Sequence, residues 1–410
     1  MLLVFLHPLM TPARAQQPQR LDVSFGGVML AVPESQSSKA FPKLAPLLPE
    51  MAPLVRQQLS RADAKLPFKL HFDTDNHLGV TNSEYPVLTV LISGENTLID
   101  TFSGRTSSFT RAACNVSLVG LVFDAMSKKV LVSVPLTSEV VLKTDRRLSE
   151  SEVGDAYQKA LTQGVSVLID RMERVSPGRV QADVQPSGDI IRLDQGENAG
   201  ALEGSIVRFE DSSGDEVGRG RIVSVEPTAC SVLLTSGRLG VTASFLNLKA
   251  YSENSYQVIG VESSSKRVQS LFDSSLYTIA GQWFSDYLGS AGRTMLPPRV
   301  GGDWSVKGAV QVMRIYPLGS DAISLELPAP RYAVRLDVSG LGSKVISSNA
   351  IETWRLFKAW SKFTVVDSGQ SIEVDASVQK LETNQLQEYG EKEVFLDAIQ
   401  QSLAKLARSL

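Results

Sequence analysis

Between residues 178 and about 250 the chain has no helical periodicity, and this stretch restricts the fold more than any other. Val180-Gln181-Ala182-Asp183-Val184 runs to a turn at Pro186-Ser187-Gly188-Asp189, and Ile190-Ile191-Arg192-Leu193 follows it. Glycines then punctuate the chain at Gly196, Gly200 and Gly204 before Ser205–Phe209. A second turn, Ser212-Ser213-Gly214-Asp215, leads to Arg219–Val225 and Ser231–Leu234. Short runs separated by glycine turns every 8–12 residues or so predict a small antiparallel β-barrel, placed at residues 177–252.

The flanks of this segment share an order of elements. In residues 16–176, Leu47, Met51, Leu54, Val55 and Leu59 fall at helical spacing, and a strand follows at Pro86–Ile92. A hairpin pairs Asn115–Phe123 with Val130–Val134, and a helix carries Leu161, Val165, Leu168 and Met172. Ser149 and Glu152 just before that helix fit a capping box. In residues 253–410, a helix on Leu276, Ile279, Ala280, Trp283, Phe284 and Leu288 precedes a strand at Gly308–Ile315. A hairpin of Tyr332–Val338 with Lys344–Ser347, turning through Ser339–Ser343, leads to a helix on Leu396, Ile399, Leu403 and Leu406. The fold class expected is α+β: two related α/β domains, helices packed on a mixed or antiparallel sheet, flanking the barrel. This alignment matches Lys129-Val130 with Lys344-Val345 and makes Ile351–Ala376 an insertion in the second copy. Trp354, Phe357 and Trp360 stand there at i, i+3 and i+6, which predicts a short helix.

Composition narrows the function classes. The 410 residues are 43% hydrophobic and 21% charged, with a formal net charge of −3, which excludes a disordered chain and a dedicated nucleic-acid surface. No apolar run reaches the length of about 18 residues that a membrane-spanning helix needs, so no transmembrane segment is expected. Leu2–Met10 is a short apolar run followed by Ala13-Arg14-Ala15, a small-x-small tripeptide. Residues 1–15 therefore read as a signal peptide cleaved after Ala15, with the periplasm as destination. No Lys or Arg precedes the apolar run, a departure from the usual leader. Cys114 and Cys230 read as buried small residues in separate domains rather than a bridged pair.

Catalytic chemistry has little to draw on. His7 lies in the leader, leaving His71 and His77, and neither a Gly-x-Ser-x-Gly elbow, a CxxC pair nor a phosphate-binding loop is present. No enzyme activity and no cofactor are expected. His71, Asp73, Asp75 and His77 alternate, so an extended chain would put two imidazoles and two carboxylates on one face. Four such ligands span roughly 20 Å, too far to meet at one ion without a turn. A polar strand end is the expectation, and a metal-dependent hydrolase is the third-ranked alternative. Trp283, Phe284 and Tyr287 fit the buried side of a helix. Trp354, Phe357 and Trp360, flanked by Arg355, Lys358 and Lys362, are the candidate partner-binding surface.

Gly188-Asp189-Ile190 through Leu193, Gly196, Gly200, Gly204-Ser205, Gly218 and Val223 resembles the carboxy-terminal barrel of periplasmic flagellar H-ring assembly proteins. In element order, the α/β halves are similar to the middle domain of those proteins, to the curli secretion channel subunit and to the amino-terminal domain of Tol-system propeller proteins. Departures are plain: no propeller repeats follow, the barrel is central rather than last, and no long alternating hairpin suited to lining a pore is read. The resemblance implies a non-catalytic periplasmic scaffold or ring subunit of a bacterial envelope machine, with flagellar basal-body ring assembly the leading example. Its partners would be other envelope or flagellar proteins, or copies of itself in a ring. The second-ranked alternative is a periplasmic receptor module for glycan or peptidoglycan.

Overall fold

The computed structural model describes the chain from Leu21 onward, except residues 64–65, 67, 73–82, 84, 104–107, 126, 175–177, 188–189, 202, 248–254, 272–273, 301, 308–309, 319–320, 350–351 and 384–390. The first half comprises β1 (Leu21–Leu30), α1 (Glu34–Ala40), α2 (Leu48–Ala62) and β2 (Phe68–His71). It continues with β3 (Val87–Ser103), β4 (Ser108–Phe123), β5 (Val130–Thr144) and α3 (Glu150–Arg174). Its strands lie in the order β2-β1-β3-β4-β5; β2 and β3 run parallel to β1, and β3, β4 and β5 are antiparallel. Met51, Val55 and Leu59 of α2 and Tyr157, Leu161, Val165 and Leu168 of α3 share one core with Leu88, Val90, Ile92, Leu118, Val132 and Val134 of the sheet. The capping box forms as the sequence predicts: Ser149 N–H donates to Glu152 Oε2 at 2.9 Å, and Glu152 N–H donates to Ser149 Oγ at 3.2 Å. The predicted hairpin is β4–β5, which pairs from Phe123↔Val130 out to Thr110↔Thr144, and β3 pairs with β4 over a similar length, from Val87↔Phe123 out to Ser103↔Ser108. A long hairpin is therefore present where none was read.

The glycine-rich segment closes into a six-stranded barrel. Its strands are β6 (Gly178–Ser187), β7 (Ile190–Leu193), β8 (Ile206–Glu210), β9 (Glu216–Val225), β10 (Cys230–Gly237) and β11 (Thr242–Asn247), closed in the order β10-β7-β6-β11-β8-β9. Leu193, Val207, Phe209, Ile222, Val232 and Phe245 fill the interior. Gly200 and Gly204 both have φ near +85°, the left-handed region that glycine enters without a Cβ penalty.

The second half comprises β12 (Ser255–Glu262), α4 (Lys266–Leu271), α5 (Ser274–Ser290), β13 (Thr294–Met295), β14 (Asp303–Lys307), β15 (Val310–Pro317) and β16 (Ile323–Leu327). It ends with β17 (Tyr332–Ser348), β18 (Glu352–Val365), β19 (Ser371–Thr383) and α6 (Glu391–Ser409). Its sheet order, β13-β12-β17-β18-β19, reproduces that of the first half strand for strand, with the same parallel and antiparallel pairs. Even the irregularity repeats. One extra residue bulges from β1 against β3 between Phe25 and Val28, and one bulges from β12 against β17 between Val258 and Gly260.

The element-by-element alignment read from the sequence is corrected by this register. Tyr332–Ser348 is one continuous strand, the counterpart of β3, and Ser339–Ser343 is not a turn. Residues 351–376, read as an insertion, hold β18 and the start of β19, the counterparts of β4 and β5. The predicted strand at Gly308–Ile315 belongs instead to the real insertion, β14–β16. This insertion leaves its own half and joins the first sheet where Met29 and Leu30 of β1 pair with Pro317 and Tyr316 of β15. Met313, Ile315, Ile323 and Leu325 fill a core with Met29, Val87, Leu91, Leu121 and Phe123 on the sheet face opposite α2 and α3.

Helix α5 completes the join. It packs against β12 and β13 of its own sheet and against β5 and β3 of the first. Every residue from Ile279 to Asp286 is buried, as expected of a helix with a sheet on either side rather than one sheet and solvent. Trp283 and Phe284 are core residues there. Among the described residues no helix is long and apolar enough to cross a membrane.

Candidate functional site

Three places carry the polar and aromatic chemistry of the molecule. The first is the joint between barrel and first sheet. His71 ends β2, and its Nε2 lies 2.6 Å from Asp22 Oδ1 on the neighbouring β1. The His71 ring stacks on Tyr85 at 5.0 Å, and the Arg219 guanidinium sits 4.0 Å from the other ring's centre. Arg208 pairs with Glu216 at 2.8 Å and approaches Asp22 at 3.8 Å. Nearby, Arg221 of the barrel pairs with Asp124 at 2.9 Å, and Lys129 Nζ donates to Glu203 O at 2.8 Å. His71 is thus engaged with Asp22 of β1 and with Tyr85, and Tyr85 in turn meets Arg219 of β9. Asp73, Asp75 and His77, the rest of the candidate metal set, lie outside the described residues. Among the described residues no group of three or more His, Cys, Asp or Glu side chains is placed to hold a metal ion.

The second place is the outer face of the second sheet. The candidate partner helix is a strand: Trp354, Phe357 and Trp360 all lie in β18. Alternation therefore separates them. Phe357, 3% exposed, points into the core with Ala359 and Phe363, while Trp354, at 37%, and the half-buried Trp360 stand on the opposite face. Lys358 lies between the two tryptophans and pairs with Asp375 of β19 at 3.2 Å. Arg355 shares the alternation of Phe357, so of the five candidates only Trp354, Lys358 and Trp360 share the open face. Spacing of three, repeated once, fits a helix face but decides nothing; the buried series Phe357, Ala359, Ser361, Phe363 and Val365 is the period-two signal of a strand.

The third place, which the sequence reading missed, is the seam around α5. Gln282 donates through Nε2 to Ser93 O at 3.3 Å, crossing from α5 to β3. Asp286 accepts from the backbone N–H of Thr137 on β5 at 3.1 Å and forms a close ion pair with Arg171. Arg171 reaches it from α3, on the far face of the first sheet, and also donates to Pro135 O and Ser290 Oγ. Burial raises the Asp286 carboxyl above its ordinary range, outweighing Arg171. Glu95 of β3 accepts from the backbone N–H of Lys43 at 3.0 Å and of Leu44 at 2.7 Å, anchoring the segment after α1. Its carboxyl too is raised by burial, against the pull of those two bonds. A readable signal existed for one member: Asp286 is the one carboxylate between Ile279 and Leu288, in an otherwise apolar helix.

Glu95 supports a pH prediction. A carboxyl whose folded pKa exceeds its unfolded value binds its proton more tightly in the native state. Its contribution to stability therefore falls as pH rises from the ordinary value of 4.5 through the folded value. The stability of Glu95→Gln relative to the parent should improve as pH is raised across that window and stay constant below it. Urea melts of both chains at a series of pH values check this, and a flat difference contradicts it.

Both cysteines are free and buried, Cys114 in the first core and Cys230 in the barrel. Burial pushes each thiol up to about 11.

No family model matches the chain, and no curated protein matches it. Among solved structures, a neuraminyllactose-binding hemagglutinin homolog from Helicobacter pylori aligns at 14% identity over 42% of this chain and 94% of its own, with a TM-score of 0.26. A minor lipoprotein from Acinetobacter baumannii aligns at 8% identity over 38% of this chain and 94% of its own, with a TM-score of 0.23. At such scores neither likeness bears on fold or function.

Proposed function

We propose that the chain is a non-catalytic periplasmic scaffold or ring subunit of a bacterial envelope machine, flagellar basal-body ring assembly being the leading example. The observation that carries this reading is the free edge of the second sheet. β19 pairs with β18 through thirteen successive residues without a register shift, it contains no proline, and among the described residues nothing pairs with its other side. The β3–β4, β4–β5 and β17–β18 ladders each break register at a bulge. Long edge strands without bulge or proline present unpaired backbone groups that another chain can pair with; β19 does carry charges at Glu373 and Asp375, which would select among partners. Beside this edge lies the face bearing Trp354, Lys358 and Trp360, with aromatic anchors about 20 Å apart along the strand. The fused halves suit the same role, since α5 and the β14–β16 insertion hold both sheets in one body.

Partners would be other envelope proteins or further copies of this chain. The double variant Trp354→Ser/Trp360→Ser should reduce crosslinked co-purification from native envelopes at least tenfold. Its melting temperature should stay within a few degrees of the parent, because both side chains lie outside the core. Undiminished co-purification sinks the assignment of this face.

A further inference from the structure

A second opening lies at the seam around α5. Between β3, β4 and the first turns of α5 is a half-open cavity of about 320 Å³, bounded by both halves of the chain. Ser93, Glu95 and Ser117 line it from the first sheet, Thr278 and Gln282 from α5, and Phe41 from the segment after α1. Three features of its wall select a ligand. Among the described residues no basic side chain lines it and its one ionisable lining group is the Glu95 carboxyl, so an anion would meet a carboxylate at the wall; Lys43, outside the lining, is the cation that acts on that carboxyl. The Ser117 and Thr278 hydroxyls and Gln282 Oε1 supply donors and acceptors, while Ser93 Oγ already donates to Ser117 O and Gln282 Nε2 to Ser93 O and Oγ, each at 3.3 Å. Phe41 and Ile279 give an apolar patch beside them.

The amide is held deliberately close to the strand. A Cβ at Gly94 would stand 2.9 Å from both Nε2 and Oε1 of Gln282, so a side chain there would push the amide away from β3 at the cavity wall. Pockets of this kind begin at about 300 Å³, which suits one ring with a short substituent rather than an extended chain.

We infer that this cavity binds a small neutral ligand rich in hydroxyl and amide groups, of the size of a single N-acylated sugar ring. The acyl N–H would donate to Gln282 Oε1, the hydroxyls would pair with Ser117 and Thr278, and the acyl methyl would rest on Phe41 and Ile279. The inference stands apart from the partner surface on the second sheet and can fail or hold without it.

Saturation-transfer NMR on the full chain tests it, with N-acetylglucosamine as the probe and glucuronate as the anionic comparison. Transfer to N-acetylglucosamine is expected, with glucuronate at least tenfold weaker. Ser117→Leu, which fills the cavity, and Gly94→Ala, which displaces Gln282, should each weaken N-acetylglucosamine at least tenfold. Should Ser117→Leu fail to fold, Thr278→Leu narrows the same space from the half-exposed side of α5. Absent transfer, equal binding of glucuronate, or affinity unchanged in the folded variants overturns the inference.

Discussion

Arg171→Met is expected to cost about 3–5 kcal/mol of stability, because it strands the Asp286 carboxylate inside the molecule. Arg171 and Asp286 are 18% and 10% exposed, and the pair joins α3 to α5 around the edge strand β5. Without the guanidinium, Asp286 keeps the Thr137 N–H and a contact with Ser290, which do not neutralise it. The alternative open to the protein is to protonate Asp286, whose carboxyl burial already raises. The loss should therefore be smaller at pH 5 than at pH 8. Asp286→Asn in the Arg171→Met background should recover most of it, since removing both charges leaves no uncompensated ion. Urea denaturation of the parent, single and double variants at both pH values measures this. A single-variant loss under about 1 kcal/mol at pH 8 would mean the pair does not hold the layers together.

Gly340→Val should be comparably severe for a steric reason. A Cβ at Gly340 would stand 2.1 Å from Cζ of Phe395 and 2.9 Å from the Lys358 carbonyl oxygen. The Phe395 ring is fully buried between α6 and the sheet and cannot swing aside. Either α6 lifts, exposing Phe395, Ile399 and Leu403, or β17 distorts; the expected loss is about 3–5 kcal/mol, the scale of a large core truncation. Phe395→Ala alone costs a similar amount, but in the Gly340→Val background it should cost much less, because the cavity it leaves accepts the valine. Additive losses in the double variant would show that the close approach is not the cause.

Gly340 also shows why part of the fold was legible and part was not. Ser339-Gly340-Leu341-Gly342-Ser343 carries the residues of a turn, yet the chain passes straight through, and at position 340 glycine serves helix packing. A turn at that place leaves β18 surplus, as an insertion, and makes a core strand of the real insertion at β14–β16. The barrel was legible because its signal is local: turns at regular spacing and short alternating runs. The capping box at Ser149 and Glu152 was legible for the same reason. Which strand returns to which sheet is set by contacts distant in sequence, such as Met29 with Pro317, and no local pattern encodes them. The candidate surface was found in part by residue type alone. Aromatic and basic residues do cluster at 354–362, but strand alternation sends Phe357 inward and leaves Trp354, Lys358 and Trp360 outside.

The most direct measurement is a photocrosslinking residue placed at Gln379, exposed on β19, in cells carrying the native envelope machinery, with the same group at Ser236 on the barrel as control. The account predicts a discrete adduct at Gln379, either with one envelope protein or with a second copy of this chain. That adduct should be absent at Ser236 and lost in Trp354→Ser/Trp360→Ser. No adduct at Gln379, or one equally strong at both positions, would contradict the reading of the second sheet as the scaffold's docking edge.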